Sequence, residues 1–202
     1  MKNFLLIIVL LASIYSCKHG AKKDPNVEAK KALNNGFEVQ MLVEIPAGTN
    51  NKFEYNKTNQ QLEQDSIDGE ARIIQYLAYP GNYGMIPNTL LPKSDGGDGD
   101  PLDIIAIGPA ASIGSYLNCR IIGVLKLLDE GERDDKLIAI GENSTLKNVN
   151  SIAALDAQYP GISDILKIWF SNYKGKGKIQ LVGYADADEA TKVYDKAYLK
   201  KQ

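Results

Sequence analysis

From residue 37 onward, apolar and polar positions alternate with a short period over most of the chain. A helical period takes over only near the end. Phe37 to Ile45 (FEVQMLVEI) reads as a strand, and Pro46-Ala47-Gly48 stops it. Lys52 to Tyr55 (KFEY) reads as a short second strand followed by a polar turn, and Arg72 to Tyr76 is a third apolar run. Tyr79 to Pro92 (YPGNYGMIPNTLLP) holds two Gly and three Pro, which predicts an ordered loop with aromatic anchors. Ser94 to Pro101 (SDGGDGDP) excludes regular structure. Leu102 to Ile107 (LDIIAI) is a strand, and Tyr116 to Leu128 (YLNCRIIGVLKLL) is a long one, bent at Gly123. Asp129 to Asp135 (DEGERDD) is a charged turn, and Lys136 to Ile140 is the returning strand. Ile152, Leu155 and the following Pro160 mark a short helix. Ile162, Ile165, Leu166, Trp169, Phe170 and Tyr173 then recur at helical spacing. Lys178 to Val182 is a last strand, and Ala187 to Leu199 a closing amphipathic helix with Asp186 or Asp188 as its N-cap.

Five or six strands therefore precede two helices that flank a late strand. Strands do not alternate with crossover helices, which excludes a doubly wound sheet. The pattern predicts an α+β fold built on an antiparallel barrel.

The first residues follow another logic. Met1-Lys2-Asn3 carries one positive charge, and Phe4 to Ser13 (FLLIIVLLAS) is almost wholly apolar. That is the layout of a secretory signal, and the apolar run is too short for the roughly 20 residues a spanning helix needs. Ser16-Cys17 sharpens the reading. The segment resembles a bacterial lipoprotein signal, which implies a signal peptide over residues 1–16 and lipidation of Cys17. Ordinary secretion is the other reading. Residues 17–36 (CKHGAKKDPNVEAKKALNNG) read as a polar tether, leaving 37–202 as the folded domain. The expected location is the periplasmic side or cell envelope, membrane-anchored, with the cytoplasm as the alternative.

Composition then narrows the chemistry. A chain of 202 residues, 44% hydrophobic, suits one domain with an appendage. A net charge of −2 argues against nucleic acid as a partner. The single His is His19, in the tether, so the domain lacks Ser-His-Asp and Cys-His catalysis and His-ligated zinc or haem. Two Cys allow at most one disulfide. Carboxylates, Lys, Arg and Tyr must carry the chemistry.

The acids gather at two turns. Asp98-Gly99-Asp100-Pro101-Leu102-Asp103 puts three carboxylates within six residues, which would repel without a cation. Hard cations such as Mg²⁺ take oxygen ligands of this kind. An EF-hand loop is excluded, because its sixth position would be Asp103 and its twelfth Pro109. Asp129, Glu130, Glu132, Asp134 and Asp135 crowd the second turn. Either turn alone reads as a solvated loop. Together with Glu44, Lys52, Glu54, Arg72, Tyr79, Tyr83, Lys136, Tyr173 and Lys174, all near strand ends or loops, they suggest metal-assisted phosphoryl transfer to water.

These residues resemble the soluble family I inorganic pyrophosphatases. Asp98 to Asp103 matches the D-G-D-P-hydrophobic-D signature of that family. The likeness takes in E-I-P at Glu44, K-F-E at Lys52–Glu54, Y-P-G-N-Y-G at Tyr79–Gly84 and G-V-L-K-L-L-D-E at Gly123–Glu130. It continues through D-D-K at Asp134–Lys136 and N-Y-K at Asn172–Lys174, and extends from about Val39 to the C-terminus. It implies a highly twisted, OB-like, five-stranded antiparallel β-barrel with two main helices packed against it. It implies hydrolysis of inorganic pyrophosphate with three to four Mg²⁺ per site, Mn²⁺ being possible, and a homo-oligomer. Asp98, Asp103 and Asp134 would bind the first ion, and Asp103 would reach the second. Asp129 and Asp134 would hold the ion that arrives with substrate, and Glu54 would act on a further one. Asp100 would be general base, with Glu44 and Glu130 as outer acids. Lys52 and Tyr83 would contact the attacked phosphoryl group. Arg72, Tyr173 and Lys174 would stabilise the departing phosphate, with Tyr79 and Lys136 completing the pocket. Arg72 stands seven residues before Tyr79, one fewer than the bacterial pattern, and the exported N-terminus is a second departure. Other readings are a metal- or polyphosphate-binding lipoprotein without catalysis, and an enzyme acting on organic diphosphates.

Overall fold

The computed structural model describes residues 36–97 and 99–199. The expected signal, Cys17, the tether up to Asn35 and Asp98 lie outside the described residues. In chain order the elements are β1 (Phe37–Ile45), β2 (Phe53–Asn56), β3 (Gln61–Gln64), β4 (Ser66–Ile67), β5 (Glu70–Ala71) and β6 (Asn82–Met85). Then come β7 (Asp103–Ile107), β8 (Tyr116–Asp129), β9 (Glu132–Arg133) and β10 (Lys136–Gly141). The chain ends with α1 (Ile152–Gln158), α2 (Ile162–Asn172), β11 (Ile179–Ala185) and α3 (Ala187–Ala197).

Five strands close a barrel in the order β1-β6-β7-β10-β8, with β8 pairing back onto β1. The α+β barrel with two main helices is thus as predicted, but one seam is not antiparallel. β10 returns from β8 into the gap beside β7 and runs parallel to it, Lys136 opposite Asp103. Two further differences have local causes. The loop predicted over Tyr79–Pro92 contains β6, because Asn82 to Met85 are all buried between β1 and β7, and the Gly and Pro mark only its flanks. The polar turn after β2 is itself two small hairpins, β2–β3 and β4–β5. The run Arg72 to Tyr76 forms no strand. Ile73 makes a single bridge to Asn51, and the Asn50 side-chain amide donates to the Ile74 and Tyr76 carbonyls at 2.9 Å each.

The bend expected at Gly123 is a bulge. Ile138 faces Gly123 while Ala139 faces Ile121, so Ile122 is skipped. The extra residue reverses the strand's parity. Leu117, Cys119 and Ile121 share one apolar cluster with Val124, and Ile122 shares the other with Leu125 and Leu127. Glycine is required at this position, since a Cβ would lie 2.6 Å from the Ile152 side chain and 2.7 Å from the Ala185 carbonyl oxygen. The two clusters are the two sides of the sheet. Ala190, Val193, Tyr194 and Ala197 of α3 close one, and Leu155 of α1 with Leu166, Trp169 and Phe170 of α2 close the other. Asp186 caps α3, accepting the Glu189 N–H at 3.0 Å. Cys119 is a buried thiol in the first cluster. Among the described residues, no helix is long and apolar enough to cross a membrane.

Candidate active site

Strand register assembles the site at one end of the barrel. β10 places Lys136 beside Asp103 of β7, Asp103 lies beside Met85 of β6, and Tyr83 of β6 faces Ile45, next to Glu44 of β1. The β8–β9 hairpin brings Asp129 and Asp134, β2 brings Glu54, and the end of α2 brings Tyr173 and Lys174. The result is a pocket of about 270 Å³. It is lined by twelve of the residues singled out from the sequence: Glu44, Lys52, Glu54, Arg72, Tyr83, Asp100, Asp103, Asp129, Asp134, Lys136, Tyr173 and Lys174. Gly84 allows this closeness, because a Cβ there would lie 1.9 Å from the Leu42 carbonyl oxygen.

Two of the predicted residues fall elsewhere. Tyr79 is buried behind the pocket, its ring 5.1 Å from Tyr83 and 4.3 Å from Trp169, and it supports Tyr83 instead of lining the cavity. Glu130 takes the left-handed turn position (φ 51°) and lines a neighbouring cleft with Arg72, Asp129, Lys174 and Lys178. Asp98 is outside the described residues. Two residues were missed. Lys57, in the turn after β2, donates to the Asp100 carboxylate and, at 3.0 Å, to the Gly99 carbonyl. Asp65 holds Arg72 through a 2.7 Å ion pair. Neither has a local signal, because each partner is met only through tertiary folding.

The pocket carboxylates are held by lysines. Buried Lys136 bridges Asp103 and Asp134, Lys174 pairs with Asp129, and Lys52 lies 2.9 Å from Glu54. Glu44 instead accepts the Tyr55 backbone N–H at 2.9 Å. The Tyr83 ring lies near two ammonium groups, 5.5 Å from that of Lys52 and 6.0 Å from that of Lys136. Tyr173 stacks on Trp169 at 4.7 Å.

Six carboxyls against four cationic side chains leave the lining short of positive charge. Burial, aided by Asp103, pushes the Glu44 carboxyl up to about 7. Burial also raises Asp134, outweighing the attraction of Lys136. For Lys136 itself burial opposes the charge, but Asp103 and Asp134 prevail, so the ammonium is held above its ordinary value. Burial opposes the charge on Lys174 as well, but the Asp129 carboxylate holds the ammonium above its ordinary value. Burial raises the phenols of Tyr83 and Tyr173, which stay neutral donors. This crowding of hard oxygen donors fits divalent cations. Among the described residues no three carboxyls converge as a ready-made metal site, because lysine ammonium groups stand between them. A cation held by these carboxylates would take the place of an ammonium contact.

A twisted barrel with acids, lysines and tyrosines converging at its end offers groups for cations and for an anion in one pocket. Residues 41–202 match the inorganic pyrophosphatase family, and the chain belongs to it. It is 34% identical over 164 residues to the inorganic pyrophosphatase of Halalkalibacterium halodurans, covering 79% of this chain and 93% of that one. It is 36% identical over 168 residues to that of Drosophila melanogaster, of which it spans only 50%. Among solved structures, an N-terminally truncated vacuolar soluble pyrophosphatase of Trypanosoma cruzi in complex with PPi aligns with TM-score 0.76 at 27% identity, over 84% of this chain and 70% of that one. An inorganic pyrophosphatase of Coxiella burnetii aligns with TM-score 0.69 at 26% identity, over 85% of this chain and 99% of that one.

Proposed function

We propose that this chain hydrolyses inorganic pyrophosphate to two phosphates with Mg²⁺. The carrying observation is the convergence of six carboxyls, three lysines, one arginine and three tyrosines in one pocket. Asp103, Asp129 and Asp134, with Glu54 and Asp98, would hold the ions, and Glu44 and Glu130 would add outer charge. Bound Mg²⁺ supplies Lewis acidity, which neutralises the diphosphate and acidifies water. Asp100, half-exposed at the rim, takes the proton of the attacking water, for which Lys57 must release it. Lys52 and Tyr83 orient the attacked phosphoryl group. Arg72, fixed by Asp65, with Tyr173 and Lys174, meets the charge that develops on the departing phosphate. Lys136 carries a positive charge at neutral pH for the same anion.

Phosphate release from pyrophosphate, measured with and without Mg²⁺, tests this. Release that depends on Mg²⁺ and falls roughly 10²- to 10⁴-fold in Asp100→Asn is expected. No release by the wild type, or none lost in Asp100→Asn, would refute it. Binding of pyrophosphate without release would instead favour the inactive binding protein. Faster release from an organic diphosphate would move the substrate.

We further propose that Cys17 is lipidated and anchors the domain outside the cytoplasm, on the strength of its signal-like N-terminus. The wild type should enter the detergent phase and Cys17→Ala the aqueous phase, and equal partitioning would sink the idea. Exposed Ile165 and Ile168 on α2, and Leu77 beside it, support association of copies.

A further inference from the structure

Asp135 is a buried carboxylate that the reaction does not use. It is only 4% exposed and lies outside the pocket. Along this stretch side chains alternate between faces, so Asp134 and Lys136 point into the site while Arg133 and Asp135 point away from it. Behind the site Asp135 has two partners. Arg133 Nε donates to it at 2.5 Å, and the Leu127 backbone N–H donates to its Oδ1 at 3.3 Å.

The second contact replaces a rung of the sheet. β8 and β9 pair through Leu128 and Arg133, and β8 and β10 through Leu125 and Lys136. Between those rungs the Asp134 N–H donates to the Leu127 carbonyl at 3.0 Å. A regular antiparallel pair would return the bond from the Leu127 N–H to a backbone carbonyl. Here the Asp135 carboxylate takes that position. The Arg133 backbone N–H also donates to the Gly96 carbonyl at 3.2 Å, tying the same segment to the loop that carries Asp100.

We propose that Asp135 is a positioning residue. By accepting the Leu127 N–H, with Arg133 neutralising its buried charge, it sets the strand start from which Asp134 and Lys136 reach the cation and anion positions. The inference rests on the pyrophosphatase reading. Groups that orient ligands from behind typically change metal affinity about 10- to 100-fold when lost.

The test is calorimetric titration of Mg²⁺ into the purified protein, beside steady-state pyrophosphate hydrolysis. Asp135→Ala should bind Mg²⁺ about tenfold more weakly, with kcat at saturating Mg²⁺ within about threefold of wild type. The double variant Arg133→Ala/Asp135→Ala, which leaves no charge buried alone, should show the same loss even where the single variant does not fold. Arg133→Gln/Asp135→Asn restores an acceptor without charge and should regain the wild-type affinity. Unchanged affinity in the alanine variants overturns the proposal, as does an Arg133→Gln/Asp135→Asn protein as weak as they are. A wild type that neither binds Mg²⁺ nor releases phosphate overturns the functional reading itself. Binding and release by the wild type, with unaltered alanine variants, overturn only the role of Asp135.

Discussion

Replacing Glu44 by Gln should stabilise the metal-free protein at pH 8. Glu44 is 6% exposed and close to Asp103, and its carboxyl is moved from 4.5 to about 7 in the folded state. The folded protein therefore holds this proton more tightly than the unfolded chain does. The protonated form's contribution is complete below about 4.5 and is lost as pH rises through 7. At about 1.4 kcal/mol per pH unit, the ionised carboxylate costs roughly 3 kcal/mol at pH 8. Gln keeps the acceptor for the Tyr55 N–H and removes the charge. For a domain of this size that corresponds to about 6–12 °C in melting temperature. Thermal melts in EDTA should show that gain at pH 8 and almost none at pH 5, and saturating Mg²⁺ should narrow it by stabilising the wild type. A gain that does not change with pH, or a variant less stable at pH 8, would refute the reasoning.

Lys136→Met leaves Asp103 and Asp134 without their shared ammonium, and should lower urea-unfolding stability in EDTA by about 3–5 kcal/mol, with much of it recovered in Mg²⁺. Equal stability of variant and wild type in EDTA would show that Lys136 does not hold the acids. Gly84→Ala forces a methyl group against the β1 backbone, between Leu42 and Glu44. It should cost about 3 kcal/mol or more and weaken pyrophosphate hydrolysis with it, so a normal melting temperature would contradict the close packing of β1 on β6.

What could be read in advance follows from which interactions are local. The D-G-D-P-L-D string and the acids after β8 are contiguous, so their chemistry is visible without a fold, and alternation marked β1, β7, β8 and β10. Burial of β6 depends on neighbours from both sides of the sequence, and its Gly and Pro content argued for a loop. The parallel seam between β7 and β10 arises from where β8 leaves a space, which no local pattern encodes. Lys57 and Asp65 were invisible for the same reason. Their partners Asp100 and Arg72 are placed beside them by hairpins that the polar sequence after β2 conceals.

The closure of the barrel through β8 has a kinetic consequence. β1 pairs Leu42 with Tyr116 and Phe37 with Ile121, so its free edge stays open until β8 has been made. Contacts so distant in sequence are slow to form, and an open apolar strand invites intermolecular pairing meanwhile. The pocket is completed later still, by Tyr173 and Lys174 at the end of α2. A nascent chain that stops short of those two residues can possess the whole ring of strands and still lack one wall of the pocket.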